Sequence, residues 1–89
     1  MSTVDELKSA LSTLQPSHIA IEDESHKHAG HAGNTGGGHY NLTIVSQAFE
    51  GLSLIKRHRL VFDQVDTLMK TQIHALSIQA KTPDEFSAS

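Results

Sequence analysis

The run from Leu54 to Met69 limits what this chain can fold into more than any other stretch. Leu54, His58, Val61, Val65 and Leu68 recur at intervals of 4, 3, 4 and 3, with Ile55, Phe62 and Met69 widening the stripe. That spacing predicts a helix of about four turns. Ser53 stands where an N-cap belongs, its hydroxyl placed to accept from an orphan backbone N–H. Gly51 just before it permits a sharp turn into the helix. Lys56, Arg57, Arg59, Asp63 and Asp66 fall mostly off the stripe. No other segment offers a helix long enough to cover a sheet.

The rest of the chain supplies that sheet. Thr3-Val4-Asp5-Glu6 fits a capping box, and Val4, Leu7, Ala10, Leu11 and Leu14 then form one apolar face before Pro16 ends the helix. His18 to Asp23 alternates, with Ile19 and Ile21 on one side, as a strand should. Glu24 to Gly38 has no apolar periodicity and holds five of the six glycines. A loop that long in a small domain is functional or disordered. His39 to Ser46 resumes alternation, with Tyr40, Leu42 and Ile44 facing one way. Lys70 to Ile73 reads as a turn or short extra helix. His74 to Ala80 reads as a third strand with Leu76 and Ile78 inward. From Thr82 onward the chain reads as a fraying tail, residues 83–89. The first two strands form an antiparallel hairpin, and the helix between the second and third makes those two parallel through a right-handed crossover. The expectation is a two-layer α+β domain, α-β-β-α-(α)-β: a mixed three-stranded sheet with helices on one face. One domain occupies residues 1–89, with its core at about 3–82 and a flexible His/Gly loop at 24–38.

Composition removes whole classes of function. With 89 residues the chain has room for one small core, and scarce aromatics make that core aliphatic. A net charge of −3 gives no global pull toward nucleic acid or anionic membrane. With no cysteine, disulfides, thiol catalysis and thiolate metal sites are excluded. No apolar run approaches a membrane span, and Asp5 and Glu6 stand where a targeting segment would be basic or apolar. The expected location is the cytoplasm, or the mitochondrion if the source is eukaryotic and a presequence has been removed. Ser, His and Asp fall into no nucleophile-elbow arrangement. Gly36-Gly37-Gly38 lacks the Lys-Ser/Thr of a phosphate loop and precedes a strand. Catalysis is not expected.

The seven histidines carry the remaining signal. His26, His28 and His31 crowd the Gly-rich loop, where the plain reading is a solvated segment that binds metal adventitiously. His74 opens the third strand, where a histidine ordinarily packs its ring and bonds a neighbouring carbonyl. His58 lies on the apolar stripe and reads as half-buried and structural. His39 and His18 read as structural or exposed. Lys56, Arg57 and Arg59 form a local basic patch whose plain reading is the solvated face of a helix.

Four motifs stand in the order and spacing of one family. Asp23-Glu24-Ser25-His26-Lys27-His28, Phe49-Glu50-Gly51, Arg57-His58-Arg59-Leu60-Val61 and Ile73-His74-Ala75-Leu76-Ser77-Ile78 resemble the BolA family over roughly Leu7 to Pro83. The resemblance implies a KH-like fold of the second topological type, in agreement with the element order. It implies a non-enzymatic partner that forms a heterodimer with a monothiol glutaredoxin and shares a [2Fe–2S] cluster with it and with glutathione, the isolated chain holding none. The work implied is iron–sulfur cluster assembly, trafficking or iron regulation. The family's ligand positions fall on His74 and, through the Glu-Ser-x-x-His motif, on His28. His31 is a competing imidazole three positions on. Two extra residues lie between His28 and His39 compared with many relatives. Imidazole can replace thiolate on one iron of such a cluster, and a chain without cysteine needs a partner to bring sulfur.

The resemblance also assigns a contact surface. The central helix and third strand would meet glutaredoxin, with Lys56, Arg57 and Arg59 in the patch and Arg57 and Arg59 steering the encounter. The alternative is a DNA-binding transcriptional regulator using the same patch, since some bacterial members are described so. Against it, a KH domain clamps nucleic acid with a Gly-x-x-Gly loop, and Asp66 to Gln72 has no glycine. A weak homodimer is a further expectation, and no membrane partner is expected.

Overall fold

The computed structural model describes residues 2–25 and 38–88. Helix α1 (Thr3–Leu11) runs into a 3-10 turn (Ser12–Leu14) and is followed by strand β1 (His18–Asp23) and strand β2 (Gly38–Val45). After a 3-10 turn at Gln47–Phe49 come helix α2 (Leu54–Thr71), strand β3 (Ile73–Lys81) and helix α3 (Pro83–Ala88). The sheet order is β1-β2-β3, antiparallel between the first pair and parallel between the second. This is the expected two-layer α+β arrangement.

The cap of α1 differs by one residue from the expectation. Ser2 is the N-cap: its hydroxyl accepts from Asp5 N–H at 3.1 Å, and Asp5 answers from the third helical position. Thr3 donates instead to Gln72 Oε1 at 2.9 Å, and Thr13 to Gln64 Oε1 at 2.6 Å, which pins α1 along one flank of α2. Ser53 caps α2 as predicted, accepting from Lys56 N–H, and Gly51 takes the left-handed backbone that the turn requires. Lys70 and Thr71 continue α2 rather than starting a separate helix, with one non-helical residue inside it at Val65.

The core lies between the sheet and the two long helices. Leu7 and Leu11 from α1, Leu42 and Ile44 from β2, and Val61 and Val65 from α2 are fully buried. Each such side chain contributes about 1.5–3 kcal/mol relative to exposure. The core is not purely aliphatic, because Phe49 and Tyr40 are buried within it. Ile19, Ile21, Leu76 and Ile78 pack against it from the edge strands, on the sides that alternation assigned.

Two expectations are overturned, one about α2 and one about the C-terminal segment. Its buried face is Arg57, Val61 and Val65, whereas Leu54 and Ile55 are 65% and 66% exposed and Phe62 is 36% exposed. The apolar stripe is therefore wider than the part that packs, and its first turn projects past the sheet. The presumed tail is also not frayed. Residues 83–88 form α3, in which Thr82 accepts from Glu85 N–H at 3.2 Å and Glu85 reaches back to Thr82 N–H at 2.9 Å. Pro83 occupies the first helical position, where its missing N–H costs nothing.

Candidate functional site

Two neighbourhoods on β3 carry the residues that the sequence singled out. The first is its beginning. Gly38 pairs with Ile73 and His39 with Ala75, so His74 is one residue too many for the ladder. A bulge of this kind re-aims a side chain. Here it turns His74 outward, exposed, with its ring centroid 5.0 Å from that of His39. The base of the hairpin holds His39 in place. Its N–H donates to Ser25 Oγ at 3.1 Å and its carbonyl accepts from Glu24 N–H at 2.8 Å. Ser25 N–H in turn donates to Asp23 Oδ1 at 2.9 Å, an Asx turn closing the strand end. Gly38 must be glycine, since a Cβ there would run into the Tyr40 ring.

Of the predicted ligands, only His74 falls in the described residues. His28 and His31, with His26, lie outside them. The structure adds His39, which alternation had reduced to a strand-opening residue. Its sequence signal was its register, one residue after the third consecutive glycine and opposite the start of β3. Imidazole nitrogen suits iron, zinc, copper and nickel, and two adjacent rings form half of a metal site. Among the described residues no third His, Asp or Glu completes it. Two neighbouring imidazoles in a cysteine-free chain can offer nitrogen donors to a metal whose remaining ligands come from elsewhere.

The second neighbourhood is the end of β3, and it corrects the basic patch. Arg57 is buried, 8% exposed, not part of a solvated face. Its Nε donates to Leu52 O at 2.9 Å, its Nη1 to Ala80 O at 3.1 Å, and its two terminal nitrogens to the two Glu85 oxygens at 2.6 and 3.1 Å. The paired guanidinium, together with the Thr82 N–H, holds the Glu85 carboxyl down at about 2. Glu85 in return raises the Arg57 pKa further above its ordinary value. An arginine so committed cannot steer a partner. Lys56 and Arg59 remain exposed. His58 is half-buried beside this cluster, as its position on the stripe predicted, and His18 stacks on Phe86 at 4.8 Å.

A three-stranded mixed sheet, covered on one side by α1 and α2 and carrying an outward-turned histidine at the bulged start of its parallel edge strand, defines a narrow class of small α+β domain. The model of the BolA-like protein family matches residues 11–85, and the chain belongs to that family. It is 50% identical over 76 residues to protein BOLA1, chloroplastic, of Arabidopsis thaliana, covering 81% of this chain and 48% of that one. It is 51% identical over 78 residues to SufE-like protein 1, chloroplastic/mitochondrial, of the same plant, covering 81% of this chain and 21% of that one. The chain thus spans half or less of these two relatives. Among solved structures, BolA1 from Arabidopsis thaliana superposes with a TM-score of 0.83 at 43% identity, covering 96% of each chain. The BolA domain of SufE1 from the same plant superposes at 0.80 and 46%, covering 96% of this chain and 98% of that domain. The KH-like architecture is that of these structures. No helix among the described residues is long and apolar enough to cross a membrane.

Proposed function

We propose that this chain is a non-enzymatic partner of a monothiol glutaredoxin that lends imidazole to a shared [2Fe–2S] cluster in iron–sulfur cluster handling. The observation that carries the reading is the bulge that frees His74 from the ladder and sets it beside His39. His74 supplies one nitrogen donor. His39 is the second donor favoured by its proximity, with His28 as the loop donor implied by the motif and His31 as its competitor. Glutaredoxin and glutathione would supply the thiolates that this chain lacks. The kinship with SufE-like protein 1 and BOLA1, both named for plastids, supports an organellar setting over the cytoplasm. When bound, the cluster would bring redox-active iron, which His74 and its second donor would hold from this side.

The test is anaerobic assembly of the chain with a monothiol glutaredoxin, iron, sulfide and glutathione, followed by visible circular dichroism. His74→Ala should remove or reshape the spectrum, and an unchanged spectrum refutes the assignment. His39→Ala, His28→Ala and His31→Ala, made singly, identify the second donor by which of them repeats the His74 effect.

A second reading has one observation in its favour. A relative from Haemophilus influenzae, 34% identical over 75 residues and covering 84% of this chain and 71% of that one, is described as a DNA-binding transcriptional regulator. With Arg57 committed to Glu85, phosphate contacts would fall to Lys56 and Arg59. Duplex affinity should then fall with salt at a slope of about two counterions, and replacing both residues should abolish it. A flat salt response would discard this reading.

A further inference from the structure

Among the described residues the outer edge of β3 is open, and its open part has sharp limits. Ser46 N–H donates to Lys81 O at 3.0 Å, so residue 81 directs its backbone toward β2. Alternation then directs Gln79, Ser77 and Ala75 the same way, and Leu76, Ile78 and Ala80 outward. Arg57 occupies the outward carbonyl of Ala80. Among the described residues nothing pairs with the outward N–H and C=O groups of Leu76 and Ile78. Edge strands are ordinarily blunted by charge, proline or a bulge in the exposed run. From Ala75 to Ala80 this one has none of these.

A wall of α2 rises beside that edge. Gln64 bonds α1, so the opposite flank of α2 faces away from it. Leu54 and His58 on that flank line a recess with Ile78, Gln79, Ala80, Lys81, Arg57 and Glu85. Ile55 and Phe62 continue the flank at helical spacing and stay exposed. A strand laid on β3 would direct alternate side chains under this wall. Apart from the Arg57–Glu85 pair, the charges at that end are the exposed Lys56 and Arg59, the half-buried Lys81 that lines the recess, and one exposed carboxylate, Asp84, so cations outnumber anions there. The occupant that complements them is acidic. A second copy would contribute β3 itself, which carries no carboxylate.

We propose that the free edge of β3 at Leu76 and Ile78 receives an extended, acidic segment of a partner protein by strand addition, with alternate apolar residues against the α2 flank and Arg57 as the stop. This rests on the glutaredoxin reading only in that glutaredoxin is the first partner to try.

The test is amide hydrogen exchange on the full chain with two probes. One is a blocked peptide, Glu-Val-Thr-Val-Glu-Val-Asp; the other is apo monothiol glutaredoxin. Alone, the chain should exchange at Leu76 and Ile78 at least tenfold faster than at Ser77 and Gln79. A bound strand should slow Leu76 and Ile78 selectively, and a peptide with Lys in place of the acidic residues should not. Ile78→Pro deletes the outward N–H, which an edge tolerates, together with the Ile78 side chain that packs against the core. It should lose binding, while Ile78→Ala, which loses the packing but keeps the N–H, should retain it. Lys56→Glu with Arg59→Glu, which leaves the backbone untouched, should weaken binding about tenfold. If neither probe slows these amides, or if they slow with protein concentration alone, the proposal is overturned. If glutaredoxin binds wild type and Ile78→Pro equally and leaves both amides fast, strand addition falls while the partner reading stands. If the peptide protects both amides and glutaredoxin does not bind, the partner reading falls and strand addition stands.

Discussion

The two ends of β3 are built on opposite principles. At its C-terminal end the groups serve the fold: Arg57 ties Leu52, Ala80 and Glu85 together, and Ser46 joins Lys81 to the turn at Leu14. At its N-terminal end the ladder slips by one residue, and His74 stands exposed beside His39. One end spends its polar groups on folding. The other presents the His74 imidazole to solvent.

The sharpest way to break this comparison is Arg57→Ala. It strands the Leu52 and Ala80 carbonyls and frees Glu85, and should lower unfolding free energy by about 2–4 kcal/mol. Urea denaturation measures it. Arg57→Lys should recover only part, because a single ammonium cannot fork to a carboxylate and two carbonyls at once. A loss below about 0.5 kcal/mol, the range of ordinary surface changes, would mean that the C-terminal end is no more committed than the other.

Ser46→Ala comes next. The buried Ser46 hydroxyl donates to Leu14 O at 2.6 Å and accepts from Ala48 N–H at 3.0 Å, so both partners lose it together. The expected loss is about 1–2 kcal/mol, read in the same denaturation experiment.

Acid should erode the C-terminal end by a route that substitution at Glu85 removes. The Glu85 carboxyl is depressed in the folded state, to about 2. Its contribution is therefore fully present above the ordinary carboxylate pKa of about 4.3 and is lost as pH falls through the folded value. The melting temperature of wild type should exceed that of Glu85→Gln at neutral pH, and the gap should close between about pH 4 and pH 2. A gap that does not change over that window would show that the Arg57–Glu85 fork adds nothing through charge.

How much of this was legible in the sequence follows the same division. The element order, the inward residues of all three strands and the Ser53 cap were readable because each rests on neighbours in the chain. Arg57 was not. Its burial depends on Ala80 and Glu85, 23 and 28 residues away, and charge type alone argues for solvent. The α3 helix was readable but missed: Thr82-Pro83-Asp84-Glu85 carries the same capping signature as the first helix, hidden by the small polar residues after it. His39 was read as structural or exposed, and its proximity to His74 stayed hidden for a subtler reason. The bulge that brings His74 to it depends on the pairing of two strands separated by the whole of α2, and no local pattern records such a slip.

The smallest expected effect is the most informative about the N-terminal end. His74 is exposed and sits outside the regular ladder, and among the described residues its ring meets that of His39. A surface change of that kind should move stability by no more than about 0.5 kcal/mol. His74→Ala should therefore unfold in urea at nearly the wild-type midpoint while losing the metal-dependent spectrum with glutaredoxin. The two measurements have to separate. If His74→Ala proves as costly to folding as Ser46→Ala, the imidazole is structural, the bulge exists to bury rather than present it, and both ends of β3 serve the fold alone.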